Sequence, residues 1–132
     1  MEAKTELETL ADFFDRYGTA LLTGDLPVIA GCYALPGMVV SDAYNFTFSS
    51  PAAVALSFVG ASSAYRELEL VAAHAEIGEV QRLSDGLVLV SVAWEYLDSR
   101  GAPVPGERFR YVVRLADPPQ ICVVLPMGAA TP

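Results

Sequence analysis

Three side chains in this sequence have the chemistry for acid–base work, and each stands in a different predicted element. Tyr17 lies on the apolar stripe of the first predicted helix, where a buried phenol can donate a hydrogen bond and polarise a carbonyl group. Asp42 closes a short predicted strand, where a carboxyl group that faces the interior could act as a general acid or base. His74 is the only histidine, and an imidazole titrates near neutral pH. Tyr17, Asp42 and His74 are therefore the candidate catalytic residues.

Each candidate also has a purely structural interpretation. The sequence favours this interpretation in each case. Tyr17 is then a core tyrosine whose hydroxyl has one partner. Asp42 is a turn residue that binds nearby backbone amides. His74 is an ordinary strand histidine, although the sequence does not fix which face of the strand it occupies. Two functions stay open: a non-catalytic module that binds a ligand or scaffolds a partner, and a cofactor-independent acid–base enzyme of the isomerase or cyclase type.

The first part of the chain, which carries Tyr17, is predicted to be helical. A capping box and apolar residues at spacings of three or four predict a helix over residues 5–23. A second helix follows, carries Tyr33 on its apolar face and stops at Pro36-Gly37. A third begins at Ser50-Pro51, because a serine cap precedes proline in the first turn, and it includes Phe58.

Strands dominate the rest of the chain, because the apolar period changes to two. The predicted strands cover residues 38–42, 46–48, 68–83 with a bulge at Gly78, 87–97, 108–115 and 121–125, with a loop over residues 98–106. Helices followed by an antiparallel meander predict an α+β fold. We expect one domain over residues 1–132, with its core at about 5–126.

Apolar content exceeds what a single small core needs. The 132 residues are 53% hydrophobic, with a mean hydropathy of +0.39. We expect the excess to line a pocket or a subunit interface. The face carrying Leu89, Ala93 and Val112, opposite Val90 and Val92, is itself fairly apolar. This pattern predicts a homodimer formed through the sheet.

Charge and residue counts narrow the partners. Lys and Arg number 8 and Asp and Glu 16, so the net charge of −8 argues against nucleic acid and anionic membranes. No apolar run approaches the roughly 20 residues of a membrane span, and the acidic N-terminus does not resemble a signal peptide. We therefore expect a cytoplasmic protein. Cys32, Cys122 and His74 are too few and too scattered for a zinc site, so we expect free thiols and no cofactor.

The order of these elements and the residues on them resemble the nuclear-transport-factor-2-like superfamily, with its cystatin-like cone fold. The SnoaL-like and ketosteroid-isomerase-like branches are the most similar. The resemblance implies three helices on a curved sheet around an interior pocket, frequent dimers, and functions that range from isomerases to non-catalytic modules. The matching residues are Arg16-Tyr17, Ala20-Leu21, Gly24-Asp25-Leu26, Tyr33, Asp42, Val90 to Tyr96, Gly101 and Phe109 to Val113.

The isomerase branch implies roles for individual positions. Tyr17 matches its oxyanion-binding tyrosine, seven residues before Gly24-Asp25. The position of its aspartate base falls on Ser41, with Asp42 adjacent, and Tyr111 stands where the branch has a protonated carboxylic acid. Because this acid–base set is incomplete, we favour the non-catalytic module with an apolar pocket. The candidate ligand-binding residues are Tyr33, Phe58, Trp94, Tyr96 and Tyr111.

Overall fold

The chain runs from helices into long strands in this computed structural model, which describes residues 5–129 except for the side chains of residues 60–62 and 129. The elements are α1 (Glu6–Thr23), α2 (Leu26–Gly31), β1 (Tyr33–Val40), β2 (Asn45–Phe48), α3 (Pro51–Glu67), β3 (Leu70–Ser84), β4 (Leu87–Asp98), β5 (Pro103–Arg114) and β6 (Gln120–Ala129). The predicted α+β class, with helices on a mostly antiparallel sheet, is confirmed.

The described strands form one sheet in the order β2-β1-β6-β5-β4-β3. Every neighbouring pair is antiparallel except β1 and β6, which run parallel. Alternate residues of β4, from Val88 to Trp94, join the buried cluster formed with α1. Those between them, such as Leu89 and Ala93, are only half-buried. The helices therefore cover one face of the sheet, called here the inner face, and leave the outer face uncovered.

Short polar side chains begin the helices, as the sequence predicts. The Thr5 hydroxyl accepts a hydrogen bond from the Glu8 amide at 3.1 Å, and the Ser50 hydroxyl accepts one from Ala53 at 3.1 Å. Both satisfy amides that have no partner inside the first turn. Gly24 ends α1 in the left-handed conformation at φ 70°, which glycine adopts without a steric penalty.

The structure corrects the segment between α2 and β2. Tyr33 was expected on a second helix, but it begins β1, which extends through Pro36-Gly37. The partner strand explains this, because the Cys32 carbonyl accepts from the Ile121 amide at 2.8 Å and Tyr33 pairs with Ile121. The strand also ends at Val40 rather than residue 42.

The C-terminal strands are longer than the sequence pattern indicates. The predicted loop over residues 98–106 shrinks to a tight turn, because the Asp98 carboxylate accepts from the amides of Arg100 at 2.9 Å and Ala102 at 3.0 Å, and β5 begins at Pro103. The last strand runs to Ala129 rather than Leu125. The predicted bulge near Gly78 is confirmed by a register shift between Ile77 and Val80.

The first helix lies unusually close to the sheet at Gly18. A Cβ atom at this position would come within 2.7 Å of the Trp94 ring. At its N-terminus, the Glu6 carboxylate accepts two hydrogen bonds, of 2.6 and 2.7 Å, from the Arg82 guanidinium on β3. These two contacts fix α1 over the inner face. Within residues 5–129, no helix is both long and apolar enough to cross a membrane.

Candidate functional site: an aromatic cavity beneath the helices

A cavity of about 180 Å³ lies between the helices and the inner face of the sheet. All six tyrosines of the sequence and its single tryptophan contribute to the wall. Tyrosines scattered through the core would not all meet at one cavity, so we take this cavity as the candidate site. The lining residues are Tyr17, Leu21, Tyr33, Val39, Tyr44, Phe46, Phe48, Ser57, Phe58, Tyr65, Trp94, Tyr96, Phe109, Tyr111, Val124 and Pro126.

Simple periodicities bring these side chains together. Tyr17 follows Phe14 and Leu10 at helical spacing, so all three point from α1 into the buried cluster. On the strands, residues two apart share a face, and Trp94 of β4 and Tyr111 of β5 both belong to the inner face. Tyr33 enters the cavity as the first residue of β1.

Hydrogen bonds join the buried polar atoms of the wall in pairs. The Oη atoms of Tyr17 and Tyr33 are 2.5 Å apart, and either hydroxyl can be the donor. The Trp94 Nε1 group donates to the Tyr111 Oη at 3.0 Å. Each phenol carries one proton, so one proton of the first pair and the proton of Tyr111 are not used in these bonds. The wall can therefore donate to an acceptor atom inside the cavity.

Burial keeps these phenols neutral. Loss of solvent raises the pKa of Tyr17, Tyr33 and Tyr111 well above the ordinary value. Electrostatic repulsion between neighbouring phenols adds to the rise in pKa, while the hydrogen bonds of Tyr33 with Tyr17 and of Tyr111 with Trp94 oppose it. The pKa of Tyr96 is raised in the same direction, mainly by burial and then by Tyr65 beside it. A neutral phenol with so high a pKa donates hydrogen bonds but is a poor proton acceptor for catalysis.

Six of the eight predicted site residues line the cavity. Tyr17, the predicted oxyanion donor, is one of them, and its ring contacts those of Tyr33, Phe58, Trp94 and Tyr111. Tyr96 completes the set on β4, with its ring centroid 5.5 Å from that of Tyr65. The structure thus brings together every predicted ligand-binding residue.

Asp42 lies outside the cavity, in the exposed turn between β1 and β2. The strand stops before it because the Ser41 hydroxyl, rather than the Asp42 carboxylate, accepts from the amides of Ala43 and Tyr44 and donates to the Tyr44 carbonyl. The position expected to hold a buried base is therefore at the surface.

His74 also lies away from the cavity. It pairs with Glu95 across the β3–β4 ladder, and since Trp94 points to the inner face, Glu95 and His74 point to the outer one. Its side chain is 62% exposed, with Nε2 3.3 Å from Oε2 of Glu76. His74 and Glu95 line a different hollow, of about 670 Å³, on the far side of the sheet.

Several cavity residues were not predicted from the sequence. Phe109 could have been, because it alternates with Tyr111 along β5 and must share that residue's face. Tyr65 closes the predicted third helix, but no local signal indicates that its ring reaches Tyr96. The sequence does not indicate that Tyr44 and Phe46 line the cavity either, since side chains in and beside a turn are normally expected to be exposed to solvent.

The cysteines are free thiols, with Cys32 buried and Cys122 half-buried. Burial raises the pKa of Cys32, although the nearby Arg16 guanidinium opposes this. Among the residues that the structure describes, no cluster of three or more His, Cys, Asp or Glu side chains could hold a metal ion.

Comparison with known proteins agrees with the fold and the resemblance. A family model described as NTF2-like protein (DUF6841) matches residues 6–125. The chain belongs to this family. The predicted nuclear-transport-factor-2-like resemblance is thereby confirmed, while the assignment to the SnoaL-like branch stays a prediction. A search of curated proteins gives no match.

Solved structures show the same fold at low sequence identity. An NTF2-like protein of unknown function from Shewanella oneidensis MR-1 is 15% identical, with a TM-score of 0.69 over 92% of this chain and 98% of that one. A domain of unknown function with a cystatin-like fold from Nostoc punctiforme PCC 73102 is 14% identical, with a TM-score of 0.68 over 98% and 81%. An NTF2-like protein from Novosphingobium aromaticivorans is 14% identical, with a TM-score of 0.63 over 92% and 80%. At these identities the likeness establishes the fold alone.

Proposed function

We propose that this NTF2-like domain binds a small aromatic ligand in the cavity without transforming it. The observation that carries the proposal is the wall itself, in which every tyrosine of the chain and its tryptophan surround about 180 Å³. Such a volume suits a ligand of about one ring, because a cavity of about 150 Å³ in another protein binds benzene. The flat faces of the wall favour a planar ligand through ring contacts.

The polar atoms of the wall add a second requirement. Tyr33 or Tyr17, together with Tyr111, can donate to an oxygen or nitrogen acceptor on the ligand. A donor that is buried and already oriented gives specificity as well as affinity. The best ligand class is therefore a one-ring compound with a phenol or carbonyl oxygen.

The same geometry favours binding over the acid–base alternative. An isomerase or cyclase needs a group that accepts a proton near neutral pH within reach of the ligand. Among the described side chains, no Asp, Glu or His lines the cavity. Asp42 lies in an exposed turn and His74 on the outer face, so neither can supply that group.

The domain is further proposed to act as a homodimer through the outer face. Leu89, Val112 and Val123 pair in one row across β4, β5 and β6 on that face. Beside them β5 carries Arg108 and Arg110, while β3 and β4 carry Glu76 and Glu95. Acidic and basic side chains on one face can pair with each other across a two-fold axis while the apolar row meets its own copy.

A thermal-shift comparison of two matched compounds tests the ligand proposal. Para-cresol and toluene have nearly the same shape, but only para-cresol has an oxygen. At about 100 times its dissociation constant a ligand stabilises the folded state by about 2.7 kcal/mol, a shift of several degrees at this chain length. We expect para-cresol to raise the melting temperature more than toluene.

Two variants assign the difference to the cavity. Tyr111→Phe removes one of the donating hydroxyls of the wall, and we expect it to reduce the preference for para-cresol while toluene binds as before. Tyr44→Phe is the control, because its hydroxyl belongs to a side chain that is 53% exposed. No stabilisation of the wild type by either compound would rule out the proposal.

A further inference from the structure

The cavity opens to solvent at one side, where the exposed members of its wall lie. Tyr44 is 53% exposed and Phe46 41%, and Ser57 of α3 is exposed as well. The other lining residues that the structure describes are buried or half-buried. The turn between β1 and β2 therefore forms one side of the mouth, and α3 forms the other.

Tyr44 and Phe46 act as a pair at this mouth. Their rings stack at a centroid distance of 6.0 Å and an angle of 15°. Phe46 in turn contacts Phe48, and Phe48 contacts Tyr33 of the buried phenol pair. A continuous row of rings thus leads from solvent to the inner hydroxyls.

One hydroxyl holds Tyr44 in place. The Ser41 Oγ accepts from the amides of Ala43 at 3.3 Å and Tyr44 at 3.1 Å, and it donates to the Tyr44 carbonyl at 3.1 Å. The Ser41 amide also donates to that carbonyl, at 2.8 Å. Three of these four bonds depend on a side chain that does not itself line the cavity.

We infer that Ser41 is a positioning residue for ligand entry, which sets the turn so that the Tyr44 ring narrows the mouth. The inference rests on the proposed function, since it concerns passage into the same cavity. A gate of this kind changes how often the cavity opens without changing its interior. Loosening it therefore speeds entry and exit equally and leaves the dissociation constant unchanged.

Stopped-flow fluorescence of Trp94, the single tryptophan, measures both rates with 4-nitrophenol as a quenching probe in mildly acidic buffer, where the probe is neutral. Ser41→Ala is expected to raise the association and dissociation rates by about fivefold each, the size of a typical loss of a capping hydroxyl. Ser41→Thr keeps the hydroxyl and is expected to restore wild-type rates. Asp42→Ala is the matched control, because in the described part of the chain this neighbouring carboxylate makes none of the turn's hydrogen bonds.

The possible results separate the two proposals. If the wild type shows no saturable quenching, the ligand proposal fails, and the gate with it. If the wild type binds the probe but Ser41→Ala keeps wild-type rates, the gate alone is wrong. Weaker binding of Ser41→Ala through faster dissociation alone would also overturn the gate, since it would indicate damage to the cavity wall.

Discussion

Tyr17, Tyr33 and Tyr111 bring three phenols to one buried place, and no Lys or Arg is among the described residues of the wall. Such a group of hydroxyls is stable only while all three keep their protons, because an ionised phenol in this apolar setting has lost its hydration. Burial meets this requirement, because it raises the pKa of all three phenols and outweighs the hydrogen bonds to Tyr33 and Tyr111, which lower it. At the scale of residues, the cavity is therefore a site of neutral donors.

This protonation makes stability depend on pH in the alkaline range. The folded-state pKa of Tyr17, Tyr33 and Tyr111 lies above the unfolded value of about 10. The stabilisation they provide is complete below that value. Above it the unfolded chain loses protons first, and each tyrosine lowers the free energy of unfolding by about 1.4 kcal/mol per pH unit. We expect the absorbance of tyrosinate from these residues to rise together with the loss of circular dichroism, and ionisation in the still-folded protein would contradict this.

At the scale of elements, the close approach of α1 to the sheet decides how the cavity is built. Gly18 lets the helix lie against Trp94, whose indole then reaches the Tyr111 hydroxyl. A larger residue at position 18 would push either the helix or the indole away. The shape of the cavity thus depends on residue 18 having no Cβ atom.

A matched pair of glycine substitutions tests this packing. Gly18→Ala places a Cβ 2.7 Å from the Trp94 ring, and overpacking of this kind costs about 1–3 kcal/mol of unfolding free energy. Gly31→Ala, at the end of α2, meets no atom within 4 Å and is expected to be neutral or stabilising by up to about 1 kcal/mol. Urea denaturation of both variants gives the comparison. Equal effects would show that the contact at residue 18 is unimportant.

The sequence predicted most of these elements because their signals are local. Alternation within β4 and β5 placed Trp94 and Tyr111 correctly, and helical spacing placed Tyr17. Tyr33 was assigned to the wrong element because its strand is set by β6, far along the chain. The face of His74 was undetermined because the bulge between Ile77 and Val80 changes the phase of β3. Asp42 was misplaced because a neighbouring serine ends the strand.

At the scale of the whole molecule, the outer face of the sheet is left uncovered by the described helices. The described chain exposes 7759 Å², so a standard interface of about 800 Å² per subunit would cover about a tenth of it. The apolar row of Leu89, Val112 and Val123 lies at the middle strands of this face. A dimer would bury the row while the cavity, on the other face, stays open.

One substitution tests the dimer. Val112→Glu puts a carboxylate in the middle of the row, and burying an unpaired charge is strongly unfavourable. We expect sedimentation equilibrium to show a wild-type dimer and a monomeric Val112→Glu variant. Ser99→Glu, in the exposed turn after β4, makes the same change of charge away from the face and should remain dimeric. A monomeric wild type at tens of micromolar would rule the dimer out.

The parallel pairing of β1 with β6 has a consequence for the order in which the molecule is made. β1 has only the four-residue β2 beside it until β6 is available. A nascent chain that has completed α1, α2 and α3 therefore still holds Tyr33 and Phe48 without their final surroundings. The β1–β2 hairpin can therefore join the rest of the sheet only after β6, near the C-terminal end of the described chain, has been made. In a chain cut before β6, the β1–β2 hairpin would have no strand that joins it to β5. Such a chain would lose the mouth of the cavity and the contact between Tyr17 and Tyr33.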